Sequence, residues 1–174
     1  MCASERLRVT AARDGESFAV RANEGDWLIA WHPAPDAPDG TPHGASAWCM
    51  TPDGGIVLIS SDGEVWDWPG GRPEGDETWE DTLRREMLEE TCSTVTDARL
   101  LGFCRAECLS GHEEGLVIVR SLWLAHVELL EWEPRFEVPH RRVVPVGELL
   151  DTMTMLEGFE PIYHRALLEA GLRV

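Results

Sequence analysis

The sequence contains no lysine, and all 15 of its basic residues are arginines. This absence excludes chemistry that depends on a lysine amine, including Schiff-base enzymes and the P-loop of nucleotide-binding proteins. Arginine is then the only permanently cationic side chain that could contact a phosphate. Positive charge is also scarce, because 32 acidic residues give a formal net charge of −17. No basic stripe is present, so a nucleic-acid duplex is not the expected partner.

Long apolar runs are missing as well. No run approaches the ~18 residues that a membrane span needs, and the first residues lack the apolar core of a signal peptide. Hydrophobic residues still make up 43% of the 174 residues, which is enough for one globular core. We therefore predict a single cytoplasmic domain over residues 1–174 that does not associate with a membrane.

The cysteines do not indicate a disulfide framework. There are five of them, an odd number, and the predicted compartment is reducing. Cys104, Cys108 and His112 are spaced four apart, which invites a zinc interpretation. They contain no CxxC pair and fall in or near a predicted strand, so buried or reactive single thiols are the better interpretation.

Short apolar segments separated by turns predict a strand-rich domain with few helices. Residues 1–44 comprise weak N-terminal strands, a strand at 26–32 and a proline- and glycine-rich loop at 33–44. Helices are predicted at 78–91, after Pro145, and at 160–171. This mixture indicates an α+β or α/β sandwich. The remaining strands are predicted at 6–10, 17–21, 46–50, 56–60, 64–68, 98–109 and 116–130, the last of which could end as helix.

The predicted helix at 78–91 carries glutamates on an unusual face. With 100° per residue and Glu86 set at zero, Glu89 lies at about −60° and Glu90 at about +40°. The apolar residues Trp79, Leu83 and Met87 lie at about +20°, +60° and +100°. Glu86 and Glu90 thus overlap the apolar stripe, whereas a solvated acidic face would lie opposite it. Carboxylates at the edge of a buried face need a partner, either arginine or a metal.

The segment "GRPEGDETWEDTLRREMLEETCS" (71–93) resembles the Nudix box, G-x5-E-x7-R-E-U-x-E-E-x-G-U, in which U is a bulky aliphatic residue. Two positions depart, because the last glycine is Cys92 and the final aliphatic residue is Ser93. Glycine there would cap the helix in the left-handed conformation, which costs a cysteine about 1 kcal/mol. The matching residues are Gly71, Glu77, Arg85, Glu86, Met87, Glu89 and Glu90.

The resemblance implies a Nudix-like α/β/α sandwich with a mixed sheet. It also implies metal-dependent hydrolysis of a small molecule, a nucleoside diphosphate linked to another moiety. Mg²⁺ or Mn²⁺ would neutralise the phosphates and activate a water, and hard cations prefer oxygen ligands. The metal ligands implied are Glu86, Glu89, Glu90 and the carbonyl of Gly70, and one of the glutamates would also be the base. The remaining catalytic residues implied are Arg85 and Glu77, which we expect to form an ion pair.

Many family members place a further acidic residue in a downstream loop over the site. Glu131, Glu133 and Glu137 are the candidates here, and the sequence does not choose among them. The resemblance also allows a homodimer, although no interface is visible in the sequence.

The substrate is less well defined by the sequence. Gly71 and Arg72 are candidate substrate-binding residues. Trp66, Trp68 and Trp79 flank the box and could stack on a base, although core packing is the usual role of tryptophan. A proline or tyrosine at a set distance after the box marks subfamilies acting on ADP-ribose, NADH or dinucleoside polyphosphates, and residues 94–115 contain neither. The arginines that could reach a phosphate are Arg21, Arg72, Arg105, Arg120, Arg135, Arg141 and Arg142.

Two alternatives remain at this point. The first is a regulatory module that binds nucleotides without turnover, which the complete set of box residues disfavours. The second is an enzyme like isoprenoid diphosphate isomerase, for which Cys49 or Cys104 would have to lie in the pocket.

Overall fold

The computed structural model describes residues 10–134 and 138–174, which fold around a mixed eight-stranded sheet. The order of the strands is β1-β2-β6-β7-β3-β4-β8, with β5 paired to β3. β3 and β7 run parallel, and the other strand pairs are antiparallel. The strands are β1 (Ser17–Ala22), β2 (Gly25–Pro33), β3 (Thr41–Met50), β4 (Gly55–Ser60), β5 (Gly70–Gly71), β6 (Ser93–Ser110), β7 (Val117–Leu129) and β8 (His140–Pro145).

Helices cover both faces of this sheet, as the predicted sandwich requires. α1 (Trp79–Thr91) and α3 (Glu160–Ala170) lie within a residue or two of the predicted helices. A 3-10 turn (Val146–Glu148) leads into the short α2 (Leu149–Thr152). The α+β class with a mixed sheet is therefore confirmed.

Each face of the sheet has its own apolar cluster. On one face, Leu83 and Met87 of α1 pack on small residues of β3, including Ala45 and Ala47, so that the helix lies close to the sheet. On the other face, α3 contributes Ile162, Tyr163, Ala166 and Leu167 to a larger cluster that contains Trp31, Trp48, Trp66 and Trp68. The predicted packing role of Trp66 and Trp68 is thus observed, since both are buried.

The strand predicted at 64–68 is wrong. Only an isolated bridge between Ile59 and Asp67 forms there. Asp62 prevents a regular hairpin, because its Oδ1 accepts the backbone N–H groups of Glu64 and Val65, each at 2.8 Å. A side-chain acceptor thus takes donors that a strand ladder would need.

Three strands have bounds that differ from the prediction. β3 begins at Thr41, inside the predicted loop, because residues 41–45 pair with β7. β6 begins at Ser93, directly after α1, and β7 remains a strand to its end at Leu129. The weak strand predicted at 6–10 lies almost wholly outside the described residues.

The short strand β5 places the start of the 71–93 segment beside α1. Gly70 and Gly71 pair antiparallel with Ser46 and Ala45 of β3. A Cβ atom at Gly70 would collide with the backbone of Ala45 and with Ser46, so this pairing depends on glycine.

No helix among residues 10–134 and 138–174 is long and apolar enough to cross a membrane. The four cysteines in this part of the chain are free and buried, namely Cys49, Cys92, Cys104 and Cys108. No three His, Cys, Asp or Glu residues of the described ranges form a ready metal cluster, so the alternative zinc interpretation of Cys104, Cys108 and His112 finds no support.

Candidate active site

α1 begins and ends with side-chain and backbone caps. Thr78 is the N-cap: its Oγ1 accepts from Asp81 N at 3.1 Å, while its own N–H donates to the Asp81 carboxylate at 3.0 Å. This reciprocal pair fixes the first turn. At the other end Cys92 adopts the left-handed conformation, with φ of 46° and ψ of 54°. Cys92 thus occupies the conformation that the box assigns to glycine.

The buried face of α1 carries Glu86 together with apolar residues. Glu86 is only 8% exposed, and Leu83 and Met87 are fully buried beside it. Glu89 and Glu90 are half-buried. Burial raises the pKa of Glu86, because a carboxylate loses hydration there. The helical wheel therefore placed these glutamates on the correct side of the helix.

Arg85 joins the acidic residues of the site. Its Nε and Nη2 bond the two oxygens of Glu77 at 2.8 and 3.0 Å, so the ion pair expected between them is present. Its Nη1 reaches Glu86 at 2.9 Å and Glu89 at 3.1 Å, and Nη2 also donates to the Arg72 carbonyl at 2.6 Å. The Arg85 guanidinium lowers the pKa of Glu77 to about 2, which keeps that carboxylate ionised.

Glu90 is held by the backbone of β5. Its Oε2 accepts the N–H of Gly70 at 2.7 Å. Burial raises the pKa of Glu90 to about 7, and the charges of Glu86 and Asp67 add to the effect, although the Gly70 hydrogen bond opposes it. Glu90 is thus a carboxyl group whose negative charge lacks a close cationic partner among the described residues.

The Glu86 carboxylate occupies the space that a side chain at position 71 would fill. A Cβ atom at Gly71 would overlap both the carboxyl carbon and the oxygens of Glu86. Its backbone is not in the left-handed region, so the requirement for glycine at this position is one of space.

The donors of this site suit a hard divalent cation. Within the described residues, Arg85 or Gly70 bonds one oxygen of each of Glu86, Glu89 and Glu90, and the second oxygen of each has no hydrogen-bond partner. Three acidic groups with unused oxygens match the ligand preference of Mg²⁺ and Mn²⁺. In the structure, the carboxylates of Glu86, Glu89 and Glu90 do not converge on a common point. The Arg85 contacts explain this, because they hold Glu86 and Glu89 toward the guanidinium.

Two cavities meet at Arg72. The carboxylate pocket, of about 330 Å³, is lined by Arg72, Glu74, Arg85, Val138 and the three glutamates. The apolar pocket, of about 130 Å³, lies on the other face of the sheet, where α3 packs, and also includes Arg72. Its apolar walls come from residues on five separate segments, among them Val20, Trp27, Ile29, Ile118, Leu156 and Phe159.

The predicted distal acids lie away from these cavities or outside the described residues. Glu131 and Glu133 are exposed, and neither lines the carboxylate pocket. Glu137 lies outside the described residues. Val138 of the same segment does reach the pocket. The role of a distal acid therefore stays a prediction.

Sequence reasoning missed two acidic residues of the site. Glu74 lines the carboxylate pocket, with an oxygen 4.0 Å from Arg85. Asp67 lies close enough to Glu90 to influence its pKa. Position within the loop before α1 was the only available signal for Glu74. Asp67 had none, because it was assigned to a strand that does not form.

Comparisons with known proteins agree with this geometry. The family model described as the NUDIX domain matches residues 19–165. No curated protein matches the sequence. Among solved structures, the pyrophosphohydrolase BsRppH of Bacillus subtilis has a TM-score of 0.65 and 21% identity, covering 85% of this chain and 94% of that one.

Two further structures share the fold at lower similarity. A MutT protein of Methanosarcina mazei Go1 has a TM-score of 0.56 and 18% identity, covering 76% of this chain and 98% of that one. The NUDIX domain of Shewanella oneidensis NrtR, complexed with ADP ribose, has a TM-score of 0.52 and 16% identity, covering 73% and 86%. These likenesses concern the fold, while the family model spans most of the chain. The chain therefore belongs to the Nudix hydrolase family, as the box in its sequence predicted.

Proposed function

We propose that this protein hydrolyses the diphosphate bond of a nucleoside diphosphate linked to another moiety, using Mg²⁺ or Mn²⁺. The observation that carries the proposal is the carboxylate pocket itself, which is lined by Arg85 and by three glutamates with unused oxygens. Next to it lies an apolar pocket that could take an uncharged part of the substrate.

In this proposal Glu86, Glu89 and Glu90 hold the metal, with the Gly70 carbonyl as a further ligand. The ion supplies positive charge that the carboxylates and the substrate phosphates share. Arg85 keeps Glu77 ionised and sets the position of Glu86 and Glu89 through the contacts described above. Burial raises the pKa of Glu90 to about 7, and a bound cation would favour its ionised form.

Substrate binding follows from the two cavities. Arg72 lines both of them, so a phosphate near it could join a group in the apolar pocket to the scissile bond. Trp27 and Phe159 line the apolar pocket and offer rings to a nucleobase, whereas Trp66 and Trp68 line neither cavity. ADP ribose, seen with the NrtR domain, belongs in the test panel. A cytoplasmic location is also part of the proposal, and the four free cysteines of the described residues suit a reducing compartment.

The two alternative functions are less well supported. An isomerase would need a reactive cysteine in the cleft, but Cys49 is fully buried and donates to the Met87 sulfur. Burial raises the pKa of the Cys104 thiol to about 12, so neither thiol is poised for catalysis. A binding module without turnover would not need both the Arg85–Glu77 pair and three glutamates with unused oxygens.

The test is a panel of nucleoside diphosphate derivatives assayed with Mg²⁺ or Mn²⁺, comparing wild type with Glu90→Gln. We expect metal-dependent cleavage that falls by at least about 100-fold in the variant. Glu80→Gln is the matched control, because Glu80 lies on the same helix but is exposed and pairs with Arg84. Full activity in Glu90→Gln would refute the assigned site, and a wild type that binds nucleotides without cleaving any would favour the binding module.

A further inference from the structure

Arg120 projects from the middle of the sheet on the face covered by α3. Arg120 lies on β7, opposite Gly44 of β3 and Cys104 of β6. Its neighbours on that face are apolar, since Cys104 and Leu122 belong to the large core cluster. A guanidinium on such a face loses hydration, and burial is the main cause that lowers the pKa of Arg120. The burial of this charged group is therefore costly unless it has a structural or functional role.

Only some of the N–H donors of the Arg120 guanidinium have hydrogen-bond acceptors among the described residues. Nη1 donates to Ser46 Oγ at 2.6 Å, and no carboxylate of the described residues lies within ion-pair distance of Arg120. A guanidinium has five N–H donors. The other nitrogens are not sealed in the core, because the only fully buried side-chain nitrogens without a partner in the described ranges are the indoles of Trp31 and Trp48. Donors of Arg120 therefore face accessible space.

The surrounding backbone is shaped to admit the guanidinium. A Cβ atom at Gly44 would lie 2.8 Å from Nη2 of Arg120 and 2.9 Å from Cζ. The same atom would lie 2.5 Å from the carbonyl oxygen of Gly71, in the segment that opens the box. The missing side chain at Gly44 thus lets the Arg120 guanidinium lie close to β5. The hydrogen bond to Ser46 fixes one nitrogen of that guanidinium.

Arg120 is connected to residues of both cavities. Ser46, which accepts from its Nη1, pairs with Gly70 of β5, and the Gly70 N–H donates to Glu90 in the carboxylate pocket. Burial lowers the pKa of His43, and the nearby charges of Arg120 and Arg72 lower it further. His43 and Arg72 line the apolar pocket. Ile118, two residues before Arg120 on β7 and therefore on the same face, also lines the apolar pocket. Arg120 itself lines neither cavity, but it lies between residues of the two.

We propose that Arg120 binds the phosphate that joins the group in the apolar pocket to the phosphate cleaved at the glutamates. This inference rests on the proposed function and assigns a specific residue to substrate binding. The order of apolar pocket, guanidinium and carboxylates matches that of uncharged group, diphosphate and metal in such a substrate. A planar fork with free N–H groups is the side chain best suited to a phosphate.

Binding without turnover tests the proposal directly. The affinity for α,β-methylene-ADP with Mg²⁺ is measured by calorimetry for wild type and Arg120→Gln. We expect a loss of about 10- to 100-fold, the range for a hydrogen bond to a charged group, with unchanged affinity for adenosine, which has no phosphate. Turnover should show the same loss mainly in KM. Unchanged affinity for the analogue in Arg120→Gln, or no binding by wild type, overturns the proposal.

The matched control is Arg105→Gln. Arg105 follows Cys104 on the neighbouring strand, so its side chain projects from the opposite face of the sheet, where it contacts Glu107 and the Asp39 carbonyl. We expect wild-type affinity for the analogue in this control.

If Arg120→Gln fails to fold, Ser46→Ala provides a milder change, because it removes the hydrogen bond that orients the Arg120 guanidinium. It should weaken analogue binding about 2- to 10-fold, and no weakening would count against the proposal.

A second measurement separates phosphate binding from a counter-ion role. Mn²⁺ binding without nucleotide is followed by electron paramagnetic resonance. If Arg120 binds phosphate, Arg120→Gln should bind Mn²⁺ at least as tightly as wild type while losing affinity for the analogue. Weaker Mn²⁺ binding with unchanged analogue affinity would instead make Arg120 a structural counter-ion. If wild type binds the analogue through Arg120 but cleaves no diphosphate, the proposed function is wrong and the phosphate-binding role of Arg120 still holds.

Discussion

Replacing Asp67 with asparagine should stabilise the protein at neutral pH. Asp67 is half-buried between the sheet and α3, and its Oδ1 accepts from Trp68 N at 2.8 Å and from the Tyr163 hydroxyl at 3.3 Å. Burial raises its pKa to about 6, even though these hydrogen bonds and the charge of Arg120 act in the opposite direction. The folded state therefore disfavours the ionised form. Asparagine keeps an acceptor oxygen at this position and carries no charge.

The size of the effect follows from the two pKa values. Aspartate titrates near 4 in an unfolded chain and near 6 in the folded one. Between these values the folded state binds more protons than the unfolded state, so the contribution of Asp67 to stability falls as pH rises. The loss is complete above about pH 6 and amounts to roughly 3 kcal/mol, at about 1.4 kcal/mol per pKa unit. Below about pH 4 the carboxyl is protonated in both states and nothing is lost.

Urea unfolding at several pH values, with EDTA present, measures this directly. Asp67→Asn should exceed wild type by about 3 kcal/mol at pH 7.5, and the gain should shrink toward zero at pH 4. Asp36→Asn is the control, because Asp36 is exposed in the loop before β3. If the gain from Asp67→Asn were equal at both pH values, the carboxylate would not be destabilised by burial, and the reasoning would be wrong.

Two further substitutions probe the box. Gly71→Ala should reduce kcat at least about 10-fold and lower the melting temperature, because the added methyl group overlaps the Glu86 carboxylate. Gly147→Ala serves as the control, because the added methyl group meets no atom there and the backbone is not in the left-handed region. Cys92→Gly should raise the free energy of unfolding by up to about 1 kcal/mol, because glycine adopts the left-handed cap without strain. A decrease there would show that the buried Cys92 side chain, which donates to the Glu133 carbonyl, matters more than its backbone.

The sequence predicted α1 and its carboxylates well because two local signals agree there. The apolar positions Leu83 and Met87 fix which side of the helix is buried, and the spacing of the glutamates then places Glu86 on that side. The Arg85–Glu77 contact was expected from the resemblance to the Nudix box, and the structure contains it. In this segment, local sequence determines the geometry.

Elsewhere the structure depends on contacts between distant residues. The segment 64–68 has strand-like residues, but the Asp62 carboxylate takes the backbone donors that pairing would use. The first half of β3 looks like a loop and becomes a strand because β7 pairs with it. The apolar pocket draws on β1, β2, β6, β7 and the residues before α3. No single stretch of sequence contains a signal for such a cavity.

The absence of lysine has a structural counterpart in the two central arginines. Arg85 bonds Glu77 through Nε and Nη2 while Nη1 reaches Glu86 and Glu89, so its acceptors lie along different edges of one plane. A lysine presents all of its donors from one nitrogen and could not bond these edges together. Arg120 likewise donates from Nη1 to Ser46, while its other nitrogens have no hydrogen-bond partner among the described residues. Both positions use the planar, multiply donating guanidinium of arginine, which the single ammonium of lysine could not replace.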